Sequence, residues 1–446
     1  MRNIALPYRE EEREAFLLAD KKLKSVGLKG ENFSVYKRSV DARKKENIRF
    51  VYSIVADLPK IPEKRRLEKI DGTVLLPSPK TPECGNEELG GQVIVVGFGP
   101  CGMFAALTLT EAGYRPLVLE RGEDIEFRHQ KVNEFFETGT LLEDCNVQFG
   151  AGGAGTFSDG KLNTGTRDLR HRFILETLVR CGAPDTILTD AKPHVGTDKL
   201  HIALQALRQE LEAAGADIRF NARLEHIRIQ DGAVSAVTVC QNGQTYDLPA
   251  RHVVLALGHS ARDTFEMLYQ AGLAMEPKPF AMGVRIEHSQ SAIDAAQYRS
   301  LAGHPALPPS TYKLSCHLPN GRSAFSFCVC PGGQVVAAAS EPGRTVTNGM
   351  SVYARDGENI NGALLVNVTP ADFPSDHPLA GIALQRQLET AAYALTGGYA
   401  APCQRVADFL TGRPSAGPGA VRPSYRPGVV YTDLRRCLPD FISEML

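Results

Sequence analysis

A glycine motif follows the apolar run VIVV and precedes an apolar stretch of helical length. Its spacing is G-x-G-x-x-G, formed by Gly97, Gly99 and Gly102. At this spacing the first glycine forms a tight turn, the second lets backbone approach a pyrophosphate, and the third lets the helix pack on the strand. Glu120 follows 23 residues after Gly97, where a carboxylate can bind ribose hydroxyls. The pattern therefore predicts a dinucleotide site, with a purely structural glycine turn as the alternative.

Two charged residues further along the chain stand in patterns that could serve catalysis. His194, in PHVGTDKL, could protonate a carbon or oxygen of a substrate. Arg285 and Glu287, in GVRIEH, would share one face of a strand, where Arg285 could bind a substrate carboxylate bidentately. The structural alternatives are a helix cap by Asp198 in the first motif and an Arg285–Glu287 ion pair in the second.

Cys328 and Cys330 form a C-x-C pair in an apolar run typical of a strand. Alternate residues of a strand face the same side, so the pair is either a redox couple or two buried thiols. The ten cysteines show no C-x-x-C and no Cys/His spacing of a zinc site. We therefore expect neither a metal site nor a secreted disulfide framework.

A basic N-terminal module precedes the elements that must position these residues. Residues 1–70 hold 18 Lys/Arg and 11 Asp/Glu, a net of +7, which leaves 32 against 40, a net of −8, for the rest. Residues 9–26 predict an amphipathic helix, and residues 33–58 predict two strands around a charged turn. We assign residues 1–75 to this small α/β module and residues 76–90 to a proline-rich linker.

Length and composition narrow the class of protein. A chain of 446 residues predicts two to three domains. With 43% hydrophobic and 23% charged residues, it is neither disordered, collagen-like nor a coiled coil. The N-terminal residues lack the apolar segment of a signal peptide, and no run of about 18 apolar residues predicts a membrane span. We expect a cytoplasmic protein with no membrane-spanning helix.

The residues after Glu120 favour FAD over NAD as the dinucleotide. Residues 91–122 predict a strand, glycine turn, helix and strand, and residues 200–229 predict a helix that leads into strands. A hairpin through Asn242–Gly243 then returns to an apolar strand that ends at Gly258. Such a β-meander and small-residue turn are typical of FAD-binding domains, although Leu257 replaces the usual threonine.

Seven segments carry a resemblance to the family of FAD-dependent (FAD-utilising) dehydrogenases, within the glutathione-reductase-like flavoproteins. They are SVDARKK (39–45), NVQFGAGGAGTFSDGKL (146–162), PHVGTDKL (193–200), PFAMGVRIEH (279–288), FCVCPGGQVV (327–336), TNGMSVYAR (347–355) and APCQRVADFL (401–410). The resemblance implies an α/β fold, with a Rossmann-like FAD domain (91–265) interrupted by an inserted mixed α+β substrate domain (266–425). Residues 426–446 would begin a return to the FAD domain, which we expect to be truncated because no second glycine cluster follows.

The glycine-rich segment 149–162 could wrap a cofactor, and its hydroxyls and Lys161 could reach a phosphate or the flavin pyrimidine edge. The alternative is an ordinary glycine loop with solvated polar residues, and the resemblance favours the cofactor. With the residues above, it gives three predicted catalytic residues, His194, Arg285 and Lys161. The predicted cofactor-binding residues are Gly97, Gly99, Pro100, Cys101, Gly102, Glu120, Arg121, Gly152, Gly153, Gly155, Thr156, Ser158, Lys161, Leu224 and Gly258.

The sequence thus predicts an FAD-dependent oxidoreductase that transfers hydride between flavin N5 and a small organic substrate. No second strand, glycine turn and helix follows for NAD(P)H, so a nicotinamide would have to visit transiently. One alternative is an RNA-associated flavoprotein, because the basic N-terminal clusters alternate with Phe33, Tyr36, Phe50 and Tyr52. Strand aromatics are more often core residues, which makes nucleic acid the less favoured partner. The other alternative is a truncated family member that cannot hold FAD.

Overall fold

The structure is a computed structural model that describes residues 1–76, 85–87, 89–162, 168 and 170–446. Most of the predicted linker, residues 76–90, lies outside the described residues. The chain divides into a first unit, formed by Met1–Gly85, Lys161–Val195 and Gln290–Ser310, and a second unit that contains the remaining segments. Among the described residues, no helix combines the length and the apolar character that a membrane span requires.

The described strands are numbered in chain order. They are β1 Ile4–Pro7, β2 Glu31–Asp41, β3 Arg49–Asp57, β4 Val93–Val96, β5 Leu117–Leu119, β6 Asp217–Arg219, β7 Ala222–Gln230, β8 Ala233–Gln241, β9 Gln244–Pro249, β10 His252–Leu255, β11 Phe280–Ser289, β12 Ser315–His317, β13 Ser323–Cys330, β14 Gln334–Ala337, β15 Thr347–Met350, β16 Asn359–Val368, β17 Ala401–Cys403 and β18 Val429–Tyr431.

The described α-helices are numbered in the same way. They are α1 Glu12–Lys24, α2 Lys64–Leu67, α3 Pro100–Glu111, α4 Ile125–Thr138, α5 Arg170–Arg180, α6 Thr197–Ala213, α7 Arg262–Gln270, α8 Gln290–Tyr298, α9 Ala380–Thr396, α10 Val406–Leu410 and α11 Asp440–Ser443. Short 3₁₀ helices cover Ala154–Phe157, Asp185–Leu188, Arg299–Leu301, Pro370–Asp372 and Leu434–Arg436.

The first unit contains a three-stranded antiparallel sheet in the order β1-β3-β2. The predicted helix and two strands are confirmed, and β1 is an addition that the sequence reading missed. Helix α1 turns its small residues Ala15 and Ala19 towards Ile4 and Ile54, so its apolar face closes the core. Of the four aromatics that suggested RNA stacking, Phe33, Phe50 and Tyr52 join this core, and only Tyr36 is largely exposed.

Two later segments of the chain pack with the N-terminal module, so the first unit differs from the predicted division at residue 75. The Arg38 N–H donates to the carbonyl of Thr189 at 2.7 Å, and the Arg38 guanidinium pairs with Asp190 at 3.0 Å. Arg299 pairs with Glu46 at 2.6 Å. Edge-strand pairing and charge therefore hold residues 161–195 and 290–310 to this module, which a reading of contiguous domains cannot anticipate.

The second unit contains a parallel sheet in the order β10-β4-β5-β6. Its strands are short, and β4 and β5 are wholly buried, as continuous apolar runs in a parallel sheet should be. The antiparallel meander β7-β8-β9 follows β6 and turns at Asn242–Gly243, both with positive φ. The predicted strand, glycine turn and helix, the hairpin and the returning apolar strand are all confirmed.

A four-stranded antiparallel sheet in this unit has the order β11-β16-β13-β12. Its register is interrupted between Phe327 and Cys330, and Cys328 adopts a φ of 46° at that irregularity. The expectation that Cys328 and Cys330 share one strand face therefore fails, because a bulge breaks the alternation. Cys330 is fully buried, whereas Cys328 is partly exposed.

The last residues of the chain lie beside this C-terminal half of the second unit. Strand β18 pairs in parallel with β17, and Phe441 packs under the Arg322 guanidinium at 4.7 Å. Among the described residues, no strand after 425 joins the parallel sheet. This arrangement differs from the predicted return of residues 426–446 to the FAD domain.

A buried ion network links the segment after β10 to helix α9. Arg262, at the start of α7, pairs with Glu341 at 2.5 Å and with Glu389 at 2.7 Å. Arg386 of α9 pairs with Glu341 at 2.7 Å and with Glu266 of α7 at 2.6 Å. Because Arg262 is only 9% exposed, removing one partner would leave buried charge without compensation.

We expect Arg262→Ala to lower the free energy of unfolding by about 3–5 kcal/mol, because Glu389 would lose its cation in a largely buried site, while Glu341 would keep Arg386 and Arg344. Chemical denaturation followed by circular dichroism measures the change. Lys131→Ala breaks an exposed pair with Glu134 and should leave the denaturation midpoint close to that of the parent protein. Equal effects from the two substitutions would contradict a structural role for the network.

Candidate functional site

A cavity of about 240 Å³ opens where strands β4 and β10 end. The chain leaves β4 towards β5 on one side, while β10 lies on the other side of β4. The cavity thus lies at a point where the strand order changes direction, which is where open α/β sheets bind ligands. Its wall includes the turn after β4, the glycine-rich segment 148–155, the start of β7 and the turn after β10.

The glycine turn has the geometry that its spacing predicts. Gly97 has a φ of +102°, and a Cβ there would lie 2.4 Å from the carbonyl oxygen of Ala256. A Cβ on Gly102 would lie 1.8 Å from the carbonyl oxygen of Gly97, so only glycine permits this helix to start here. Helix α3 begins at Pro100, which occupies a position where no N–H is needed.

Glu120 lies where the sequence predicts, but its carboxylate binds protein backbone. Oε2 accepts the N–H of Phe98 at 2.8 Å, and Oε1 accepts those of Gly122 at 2.9 Å and Gly150 at 3.0 Å. The residue is 5% exposed and lines the cavity. Glu120 therefore ties the glycine turn to the glycine-rich segment, a role in addition to any contact with a ribose.

Arg128, on α4, holds the glycine-rich segment from its other side. Its fully buried guanidinium donates to five backbone carbonyls at 2.6–3.2 Å and lies 4.9 Å from the ring centre of Phe157. The acceptors are Asn146, Val147, Gly150, Ala151 and Gly153. Burial lowers the pKa of Arg128 to about 10, partly offset by Glu120, so it stays charged at neutral pH.

Gly150 is the residue that both charged groups hold. Its N–H donates to Glu120 and its carbonyl accepts from Arg128. It has a φ of +117°, and a Cβ there would lie 2.4 Å from Cδ of Arg128. The N–H of Gly152 also donates to the carbonyl of Phe98 at 2.8 Å, so the two glycine segments are joined directly.

Two arginines of the cavity wall are neutralised by carboxylates. Arg121 binds Asp263 through both terminal nitrogens, at 2.6 and 3.0 Å, and Asp144 through Nε at 2.9 Å. Arg223 pairs with Glu225 at 2.8 Å and with Asp144 at 3.2 Å. Burial alone would raise the pKa of Asp263, but Arg121 outweighs it and lowers that pKa.

The structure brings most of the predicted cofactor residues to this cavity. Those that line it are Gly97, Gly99, Pro100, Cys101, Glu120, Arg121, Gly153, Gly155, Leu224 and Gly258. Those outside the lining are Gly102, Gly152, Thr156, Ser158 and Lys161. Thr156 and Ser158 instead donate to the carbonyls of Ala151 and Gly155, at 3.4 and 2.7 Å, so their hydroxyls stabilise the segment itself.

The predicted catalytic residues do not share one unit. Lys161 and His194 are brought together by an antiparallel β-bridge in the first unit, where His194 is buried. Arg285 lies in the second unit, on β11. Asp198, from the same motif as His194, does not cap helix α6. The helix begins at Thr197, and Asp198 accepts the N–H of Tyr353 at 2.8 Å.

Arg285 is engaged by its own sheet. Its Nη2 donates to Asn361 Oδ1 and to the carbonyl of Cys328 at 3.3 Å, and its Nε is buried. A bidentate clamp on a carboxylate needs Nη2 with either Nε or Nη1, so this arrangement leaves only a single contact through Nη1. The alternative Arg285–Glu287 pair also does not form, since Glu287 accepts from Ser424 at 2.5 Å and Asn359 at 3.0 Å.

Several lining residues escaped the sequence reading, above all Gln148, Arg223, His259 and Ser260. Ser260 donates to Gln148 Oε1 at 3.1 Å, and Gln148 donates to the carbonyl of Ala338 at 3.2 Å. The only available signal was their position beside a glycine-rich segment or at the end of the apolar strand.

The cavity fits part of the FAD that the sequence resemblance implies. The first-turn N–H groups of α3 favour a phosphate, and Gly99 and Gly153 face each other without side chains, the Cβ position of Gly99 lying 3.6 Å from Gly153 Cα. The volume of about 240 Å³ is below the roughly 300–1,000 Å³ of pockets for drug-sized ligands. It would therefore hold one portion of a dinucleotide.

Comparisons with known proteins agree with this cofactor. A family model described as an FAD binding domain matches residues 91–267. A second model, described as the C-terminal domain-like region of an FAD-dependent protein, matches residues 279–446. An uncharacterised protein of Clostridium beijerinckii (strain ATCC 51743 / NCIMB 8052) is 44% identical over 439 residues, which is 96% of this chain and 81% of the relative.

Solved structures show only distant likeness. Glycerol-3-phosphate dehydrogenase of Bacillus halodurans, complexed with FAD, is 13% identical over 69% of this chain and 53% of its own, with a TM-score of 0.31. A 3-ketosteroid-Δ4-(5α)-dehydrogenase of Rhodococcus jostii RHA1 is 14% identical over 53% and 65%, with a TM-score of 0.28. THI4 of Thermovibrio ammonificans is 17% identical over 42% and 66%, also at 0.28. Each match spans less than two thirds of the solved chain, and none of these likenesses carries an argument here.

We expect Arg128→Lys to weaken FAD binding by about tenfold or more, because an ammonium has three donors and lacks the planar fork that serves five carbonyls. Quenching of flavin fluorescence on titration with the protein measures the dissociation constant. Arg208→Lys is the matched control, since Arg208 is a partly exposed arginine of α6 that packs over Phe220. Unchanged affinity in Arg128→Lys would show that the glycine-rich segment does not need its guanidinium.

Proposed function

The chain belongs to the family of FAD-dependent proteins that includes its Clostridium relative, and we propose that it transfers hydride between FAD and a small organic substrate. The protein is an FAD-dependent oxidoreductase; the hydride step, the substrate and the electron partner are the proposed part. Membership of the glutathione-reductase-like flavoproteins, with an inserted substrate domain, belongs to the same proposal. The β-meander between β6 and β10 supports it.

One observation carries this proposal. The region matched by the FAD model holds a glycine turn, a glycine-rich segment and a cavity at the switch point of a parallel sheet. These three features coincide where a dinucleotide phosphate would be bound by backbone N–H groups. When bound there, FAD supplies the N5 position that accepts or donates hydride.

The chain's own residues would hold the backbone that orients the cofactor. Glu120 and Arg128 fix the two glycine segments, so the phosphate-binding backbone does not have to reorganise on binding. The Cys101 and Gly102 N–H groups lie in the first turn of α3, where no carbonyl precedes them in the helix.

The sheet β11-β16-β13-β12 offers a surface for the substrate. Phe327 and Arg285 both pair with Ala363, which places their side chains on the same sheet face, and Phe327 is 58% exposed. An apolar molecule with one acidic group suits this face, through ring contact with Phe327 and a single hydrogen bond from Nη1 of Arg285. Lys161 and His194 remain predicted catalytic residues.

The electron partner is proposed to be a nicotinamide that binds transiently. We expect the protein reconstituted with FAD to show the yellow flavin absorbance, and NADH or NADPH to bleach it without oxygen. A flavin that cannot be reduced by either nicotinamide, but is reduced by dithionite, would contradict this electron partner and leave FAD binding intact. A protein that is colourless once unbound FAD has been removed would contradict the proposed function itself.

A further inference from the structure

The fixed charges of the cavity wall leave little positive charge for a phosphate. Arg121 and Arg223 each bind two carboxylates, and Glu120 brings a negative charge into the wall itself. Among the described lining residues, His259 is the one histidine, and it forms no hydrogen bond with described residues. It is therefore the lining side chain whose charge changes near neutral pH.

His259 lies in the turn after β10, which is next to the glycine turn after β4. Strand β10 pairs in parallel with β4 up to Leu255 and Val96, so the turns that follow the two strands are neighbours. The carbonyl of Ala256 reaches the Cβ position of Gly97 at 2.4 Å, and Gly258 has a φ of +70° just before His259. A phosphate bound at the start of α3 would thus lie in the same cavity that His259 lines.

We propose that His259, protonated, is a ligand of the FAD phosphates and makes FAD affinity depend on pH. This inference rests on the proposed function, because it assigns a residue to the same cofactor. It is a binding role: the imidazolium contributes a charge and an N–H donor that the neutralised arginines do not provide.

The surroundings of His259 set the pKa of its imidazole before FAD binds. His259 is exposed to solvent, but the neighbouring protein atoms still desolvate the imidazole and lower its pKa, and Arg262 adds repulsion that Glu389 of α9 partly offsets. From the cavity, the charges that face the same space are Glu120, Arg121 and Arg223. An incoming phosphate would raise the pKa of His259, so FAD binding should take up a proton.

The sign of the pH dependence follows from this linkage. Below the pKa of the free protein His259 is charged in both states, and above the pKa of the complex it is neutral in both, so affinity is constant in those ranges. Between the two values, affinity falls as pH rises, by at most about tenfold for each pH unit. An opposite charge within hydrogen-bonding reach moves a pKa by about 1–3, so affinity should fall by about tenfold or more in total from a pH below the pKa of the free protein to a pH above that of the complex, a range of about pH 4.5 to about pH 9.

The experiment is a titration of the full chain with FAD across this pH range, with the dissociation constant taken from flavin fluorescence and the proton uptake from calorimetry in two buffers. We expect the parent protein to lose at least about tenfold in affinity as pH rises, with uptake of a fraction of a proton near pH 7. His259→Gln should bind FAD at every pH with an affinity close to the high-pH value of the parent. His252→Gln, on β10 and outside the lining, should keep the dependence of the parent.

Three outcomes overturn the inference. A flat affinity in the parent protein shows that no lining group is linked to FAD binding. A slope that persists in His259→Gln assigns the linkage to another group. Absence of FAD binding at every pH would overturn the proposed function and this inference with it, whereas pH-independent binding overturns the inference alone.

Discussion

The candidate site depends on one buried pair of charges that act through backbone. Glu120 accepts three N–H groups and Arg128 donates to five carbonyls, and Gly150 is held by both. A glycine-rich segment has a large conformational entropy to lose, so without these anchors it would not keep one shape. Each charge is in turn compensated by peptide dipoles, which is how a fully buried guanidinium can remain ionised.

A second set of buried charges connects the cavity wall to the C-terminal half of the second unit. Arg262 follows directly after the turn that lines the cavity, and it pairs with Glu341 and Glu389. Gln148 bridges the same turn to Ala338 through Ser260. The cavity wall is therefore continuous, through hydrogen bonds, with the elements matched by the C-terminal family model. Substitutions in that C-terminal region should therefore affect cofactor binding.

The sequence predicted the parts of the fold that local patterns encode. The glycine turn after VIVV, the Asn242–Gly243 hairpin and helix α1 each need only neighbouring residues to form. The role of Arg128 could not be read in this way, because its five acceptors become neighbours only after the chain has folded. The spacing G-x-G-x-x-G also recurs at residues 150–155. There the segment belongs to the cavity wall and runs into a 3₁₀ helix. The bulge at Cys328 and the packing of residues 161–195 in the first unit are likewise results of tertiary contacts.

The most direct test of this account is a crystal structure of the full chain with FAD. We predict the phosphates of FAD at the start of α3, with Glu120 still bound to the N–H groups of Phe98 and Gly150 and with Arg128 still bound to the carbonyls of the glycine-rich segment. FAD bound away from this cavity, or a glycine-rich segment released from Arg128 in the complex, would contradict the claim that these two buried charges build the cofactor site.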